Sequence, residues 1–111
     1  MNVGEGSCVL DVGCGAGDDV LALAQIVGSK GRAVGIDNSE TMIAEATKRA
    51  AGAVAQIEFQ VKDAHNLDFE DDTFDGCRAD RVFQHLEKPK QALSEMTRVA
   101  RPGSRIVISE N

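Results

Sequence analysis

Short apolar runs alternate with longer segments in which apolar residues recur every three or four positions. Ser7–Val12 is mostly apolar and stops at a glycine cluster, the mark of a buried strand. Gly13-Cys14-Gly15-Ala16-Gly17 follows, then Asp18-Asp19 ahead of VLALAQIV, with Gly28 as a stop; two acids before an apolar segment mark a helix start. Arg32–Asp37 reads as a second strand. Asn38-Ser39 supplies capping oxygens for a helix from Glu40 to about Ala51, with Met42, Ile43, Ala46 and Ala50 on roughly one face. In a third strand, about Gln56–Lys62, Ile57, Phe59 and Val61 alternate with Glu58 and Gln60, which predicts one wetter face. An acidic, turn-like stretch over Asp63–Asp72 leads to a fourth strand near Phe74–Ala79, interrupted by Gly76 and Arg78. A last helix starts around Pro89 and ends before Arg101-Pro102-Gly103, and Arg105–Ser109 forms a fifth strand.

Strand–helix alternation with crossovers of this length predicts one α/β domain over residues 1–111. Its parallel sheet is doubly wound and Rossmann-like, with helices on both faces. Ligands of such sheets sit beyond the carboxyl ends of the strands, here at the glycine cluster after strand one.

The chain has 111 residues, 42% hydrophobic and 27% charged, and a net charge of −6. That acidic balance argues against a general nucleic-acid binder. The N-terminus has neither a basic nor an apolar region of a signal peptide, and no apolar run approaches the roughly 20 residues that span a bilayer. Cys8, Cys14 and Cys77 lack the spacing of a disulfide framework or a structural zinc site and read as reduced thiols of a cytoplasmic protein, with no metal site expected.

The glycine cluster is G-x-G-x-G, not G-x-G-x-x-G: Asp18 stands where the dinucleotide fingerprint needs its third glycine. A pyrophosphate would meet Asp18 and Asp19 at the helix start, which disfavours NAD, and a ligand without phosphate, carrying positive charge, suits the turn better.

Val9-Leu10-Asp11-Val12-Gly13-Cys14-Gly15-Ala16-Gly17 resembles motif I of the class I S-adenosylmethionine-dependent methyltransferases. The resemblance continues through GIDNSETMIAEA, Lys62-Asp63-Ala64, TFDGCRADRVFQHL and RVARPGSRIVISE, nearly the whole chain in order. Its nearest branch methylates small molecules such as quinone precursors. The resemblance implies strand order 3-2-1-4-5, S-adenosylmethionine as cofactor, methyl transfer to a small-molecule acceptor, and a role for each matching residue. Gly13 and Gly15 would let backbone approach the methionyl part, and Gly17 would belong to the same cofactor-binding turn. Asp11 would hold the loop or, through water, the cofactor ammonium. Asp37, which ends strand two, would accept from both ribose hydroxyls. Asn38 and Met42 would flank the adenine, Asp63 would accept from its amino group, the Ala64 N–H would face a ring nitrogen, and the Ala79 carbonyl would take the ammonium.

Two residues depart from the family pattern or add to it. Arg78, in a strand otherwise apolar in the family, is expected to pair with Asp11 or with the cofactor carboxylate, since a guanidinium does not stay buried unpaired. His85 stands where a general base for a hydroxyl acceptor would sit, although such a histidine also serves to pack or cap a helix. His65 is expected to be exposed.

Family members usually carry helices before motif I and strands after strand five. The chain therefore resembles the cofactor-binding core, and a non-catalytic binding module is the alternative to an enzyme. Strand five is expected at a sheet edge, where Arg105-Ile106-Val107-Ile108-Ser109 offers a homodimer contact.

Overall fold

Leu10, Val12, Val34, Ile36, Cys77 and Ala79 are almost wholly excluded from solvent and alternate along their strands with residues buried on the other face. A strand buried on both faces must lie inside a covered parallel sheet. The computed structural model, which describes residues 3–53 and 56–109, has this arrangement; Met1 and Asn2, the first residues of the N-terminus read above, lie outside it. Strands β1 (Cys8–Val12), β2 (Arg32–Asp37), β3 (Gln56–Val61), β4 (Phe74–Asp80) and β5 (Ala100–Ser109) form one sheet in the order β3-β2-β1-β4-β5. All four pairings are parallel. Helices α1 (Asp18–Val27), α2 (Glu40–Ala50) and α3 (Pro89–Val99) make the crossovers.

Two apolar layers hold the sheet. Val9, Val20, Leu23, Ala24, Val27, Ala33 and Ile43 pack beneath α1 and α2. On the opposite face Leu10, Val12, Ile36, Leu67, Phe74, Met96 and Val99 pack beneath α3. Phe69 meets the Phe74 ring edge-on at 5.1 Å, so the acidic stretch after β3 is anchored by its own aromatic residue.

The element boundaries match the sequence reading closely, with three corrections. On α2, only Ile43 and Ala46 are buried, while Met42 is 44% exposed; the apolar face is narrower than the 42/43/46/50 pattern suggested. On β3, Ile57 and Phe59 are half-buried but Val61 is 48% exposed, at the end of a strand that forms the sheet edge. Strand β5 begins at Ala100, paired with Phe74, before resuming at Arg105 opposite Gly76. The residues between them form a bulge instead of a turn outside the sheet. Arg101 fastens it by donating to Asp75 Oδ1 at 2.7 Å, while Asp75 Oδ2 accepts the Cys8 N–H at 2.8 Å.

Candidate active site

The turn after β1 is built on positive-φ glycines. Gly13 has φ 74°, and a Cβ there would stand 2.3 Å from Val82 Cγ2. Only glycine lets the turn pass so close to the segment after β4. The N–H groups of Gly13 and Cys14 both donate to the Ile36 carbonyl at 2.8 Å, drawing the turn over the end of β2. Gly15, at φ 56°, has no atom within 4 Å of where a Cβ would lie, so its freedom serves the backbone and the space beside it. Gly17 caps α1, and a Cβ there would meet the Phe59 ring at 2.8 Å: this glycine seats α1 against β3.

Asp37 ties the turn to the next helix. Its Oδ2 accepts the Gly15 N–H and its Oδ1 accepts the Ser39 N–H, both at 2.9 Å. Ser39 Oγ in turn accepts the Met42 N–H at 3.2 Å as the cap of α2. Each Asp37 oxygen has accepting capacity left over, since an ionised carboxylate takes about four hydrogen bonds.

The opposite rim is pinned by Arg98 of α3. Its guanidinium donates to the Phe69 carbonyl and to Asp71 Oδ1, each at 2.8 Å, and to Glu95 Oε2 at 2.9 Å. Glu95 Oε1 accepts the Leu67 N–H at 2.8 Å. These bonds fix the loop that carries Asp63 and Ala64. After β4 the chain bends at Arg81 (φ 57°), whose N–H donates to the Ser109 carbonyl at 2.7 Å, and a 3₁₀ turn over Phe83–His85 follows.

Between the rims lies a cleft of about 590 Å³, beyond the carboxyl ends of β1, β2, β3 and β4. It brings together Gly13, Asp37, Asn38, Asp63, Ala64 and His85 of the residues singled out above. The other five surround it. Gly15 and Gly17 complete the turn, Ala79 lies in the core with 1% exposure, and Met42 stands exposed on the first turn of α2. Asp11 is 3% exposed beneath α1, on the sheet face away from α3.

Burial pushes the Asp11 carboxyl up to about 7; Arg78 opposes this, and Asp19, Asp80 and Asp37 add to it. The sequence pairs Arg78 with Asp11 or a ligand carboxylate. Its nearest partner is instead Asp19 Oδ2 at 2.9 Å, with Asp80 at 3.7 Å and Asp11 at 3.9 Å. Of the two acids at the start of α1, read above as a helix signal, Asp19 thus also serves a guanidinium from β4, while Asp18 pairs with Arg49 of α2.

His65 is not exposed as expected: its side chain keeps 19% of its surface and makes hydrogen bonds at both ring nitrogens. Cys14, inside the glycine turn, is buried, and burial raises its thiol to about 12, so it stays protonated beside the cleft.

The lining is acidic. Asp37, Asp63, Asp80 and Glu87 face Lys62 and Arg81, and Lys62 is occupied by Asp68 at 3.9 Å and by the Phe69 ring at 5.2 Å. Carboxylates at the ends of parallel strands suit a cationic ligand with hydroxyl and amino donors, and oppose a pyrophosphate.

Comparison with known proteins bears on the same residues. Residues 4–111 match a family model described as a methyltransferase domain. The demethylmenaquinone methyltransferase of Staphylococcus epidermidis is 40% identical over 110 residues, covering 99% of this chain and 45% of that protein. Among solved structures, an S-adenosylmethionine-dependent methyltransferase from Aquifex aeolicus superposes with a TM-score of 0.90 at 31% identity, over 96% of this chain and 57% of that one. A chain of the complex between the Haloferax volcanii Trm112 methyltransferase activator and a methyltransferase gives 0.86 at 32% identity, over 96% of this chain and 45% of that one. The chain spans less than half the length of the curated relatives it matches. Sheet order, glycine turn and family match agree, and the chain belongs to the class I S-adenosylmethionine-dependent methyltransferases, whose cofactor is S-adenosylmethionine.

Proposed function

We propose that the cleft binds S-adenosylmethionine and that the chain is the cofactor-binding core of an enzyme that methylates a small-molecule acceptor. The observation that carries this reading is the convergence of Gly13, Asp37, Asn38, Asp63 and Ala64 on one acidic cleft at the strand ends. When bound, S-adenosylmethionine supplies a methyl group already activated on a sulfonium. The work left to the protein is binding, orientation and exclusion of water.

Each residue has a physical task in this reading. Gly13 and Gly15 bring main chain close to the methionyl part, and the remaining lone pairs of Asp37 take the ribose hydroxyls. Asn38 and Met42 flank the adenine, where the Met42 thioether, exposed at the start of α2, is available for packing on a ring. Asp63 accepts from the adenine amino group and Ala64 donates to a ring nitrogen. The Ala79 carbonyl takes the ammonium, while Asp11 and Gly17 hold the turn. His85, exposed on the 3₁₀ turn at the cleft rim, is the group placed to take a proton from a hydroxyl acceptor.

A demethylmenaquinone methyltransferase among the relatives supports a small quinone-like acceptor; a relative complexed with Trm112 keeps other acceptors in view. The three free cysteines, two of them buried, suit a reducing cytoplasm. A homodimer contact is assigned to β5, the last strand in the sheet order of the described residues. Calorimetric titration with S-adenosylmethionine, S-adenosylhomocysteine and NAD tests the cofactor: binding of the first two and not the third is expected, and NAD binding alone would overturn the reading. The alternative reading, a binding module without catalysis, uses the same cleft. Methyl transfer to a mixture of quinol and phenol acceptors separates the two.

A further inference from the structure

His65 ties the loop after β3 to the start of α3, and its hydrogen bonds fix its chemical form. Its Nε2 lies 3.0 Å from the backbone nitrogen of Lys88, the residue that caps α3. A peptide N–H donates and cannot accept, so Nε2 is unprotonated and the one ring proton sits on Nδ1. Nδ1 lies 2.7 Å from Asp63 Oδ1, and the His65 backbone N–H donates to that same oxygen at 2.9 Å. Both bonds fall on Oδ1; among the described residues Asp63 Oδ2 receives none. From the other side, the Gln91 side chain of α3 donates to the His65 carbonyl at 2.9 Å. The ring is therefore held between the loop after β3, which lines the Asp63 end of the cleft, and the start of α3.

We propose that His65 is a positioning residue for ligand recognition: its neutral Nδ1–H imidazole clamps Asp63 by Oδ1 and reserves Oδ2 for the exocyclic amino group of a purine. The proposal rests on the reading of the cleft as the S-adenosylmethionine site, and adds the residue that gives the cleft its preference for an amino over a keto purine. A keto oxygen set against a carboxylate places two acceptors face to face with no proton between them. The hydrogen bonds from His65 also hold the Asp63 carboxyl below the usual carboxylate range. Nothing at the sequence level pairs position 65 with position 88; the contact exists only because α3 starts beside the loop.

The test titrates S-adenosylhomocysteine and S-inosylhomocysteine, which differ in amino against keto at one purine position, into the full chain and into His65→Ala and His65→Asn. The parent is expected to prefer the adenosyl ligand. His65→Ala should lose about five- to tenfold in affinity for S-adenosylhomocysteine, the worth of one well-placed hydrogen bond, and little for S-inosylhomocysteine. His65→Asn should restore the preference, because its amide N–H stands where Nδ1–H does, although it does not reach Lys88. Nitrogen-15 chemical shifts of the ligand-free chain should show the Nδ1–H tautomer. An unchanged preference in His65→Ala, an equal loss on both ligands, or an Nε2–H tautomer overturns the proposal and leaves the cleft reading standing. A parent chain that binds neither ligand overturns both. If His65→Ala does not fold, failure of His65→Asn to keep the parental preference overturns the proposal in its place.

Discussion

The Asp37 carboxylate accepts the N–H of Gly15 at 2.9 Å and so joins the end of β2 to the turn after β1. One side chain thus shapes the glycine turn and borders the cleft, and its second oxygen simultaneously starts α2 through Ser39. Asp37→Ala removes both contacts. It is expected to weaken S-adenosylmethionine binding by about 1.5–3 kcal/mol, the range for a charge-assisted partner. Calorimetry measures the change; parental affinity would mean that the ribose is held elsewhere.

Gly13 and Gly15 share positive φ but should fail differently. Gly13→Ala drives a methyl group into Val82, a clash between the new Cβ and Val82 Cγ2 at 2.3 Å, and should cost about 1–3 kcal/mol in urea unfolding. Gly15→Val meets open space, so its folding cost is backbone strain alone, about 1–2 kcal/mol, while its bulk occupies the approach to the turn. Binding should be lost in Gly15→Val while the chain stays folded. A folded Gly15→Val with undiminished affinity would dismiss the proposed contact.

Asp11 gives the protein a distinctive pH response. Its carboxyl titrates at about 7 in the folded chain, because burial disfavours the charge, against about 3.9 when unfolded. Between those values the folded state holds a proton that the unfolded state has released, so this group lowers stability as pH rises from about 4 to 7 and levels off above. Asp11→Asn removes that titration. Its stability gain over the parent should grow across this window, to on the order of 2–4 kcal/mol at pH 8. Arg78→Met should push the window upward, because the guanidinium's attraction opposes the burial effect. Unfolding curves at pH 5 and pH 8 decide it: a gap that does not vary with pH contradicts the assignment.

The fourth prediction concerns assembly at β5. Ser109 directs its carbonyl to Arg81 on the β4 side, so by alternation Ile106 and Ile108 turn their N–H groups to the open edge. Ile106 packs on the core, and a lysine there would disturb folding along with association. Ile108→Pro instead removes one outward donor and leaves the ladder to β4 intact. Light scattering at micromolar concentration should give a dimer for the parent and a monomer for Ile108→Pro. A monomeric parent rejects the dimer, and a dimer that survives the substitution does not use this edge.

What the sequence makes legible follows from how local each signal is. The strand–glycine–acid–helix order around residues 7–28 is spelled by adjacent residues, and β1, α1 and β2 fall within a residue of their expected ends. Parallel order follows from crossovers of helical length. The start of β5 is hidden because Arg101-Pro102-Gly103 reads locally as a stop, and only the Arg101–Asp75 contact reveals that it stays in the sheet. Met42 illustrates the same limit: apolarity places it on the helix face, but in the fold only Ile43 and Ala46 of α2 are buried and Met42 stays outside. Asp63 is visible from its position after a strand. The bridge through His65 is not, since its two partners lie on elements that sequence periodicity treats separately.

The sheet order has a kinetic consequence. β1 is the central strand, yet its second neighbour β4 lies far along the chain: the Cys8–Asp75 bond that seats the two spans 67 residues. Until that segment arrives, β1 has one edge open and half of its apolar surface without cover. Pairing of this range closes a long loop before any contact rewards it, which slows folding. The central strand therefore gains its second neighbour only once the chain through Asp80 is available, so the contacts that complete the sheet are those of the longest range.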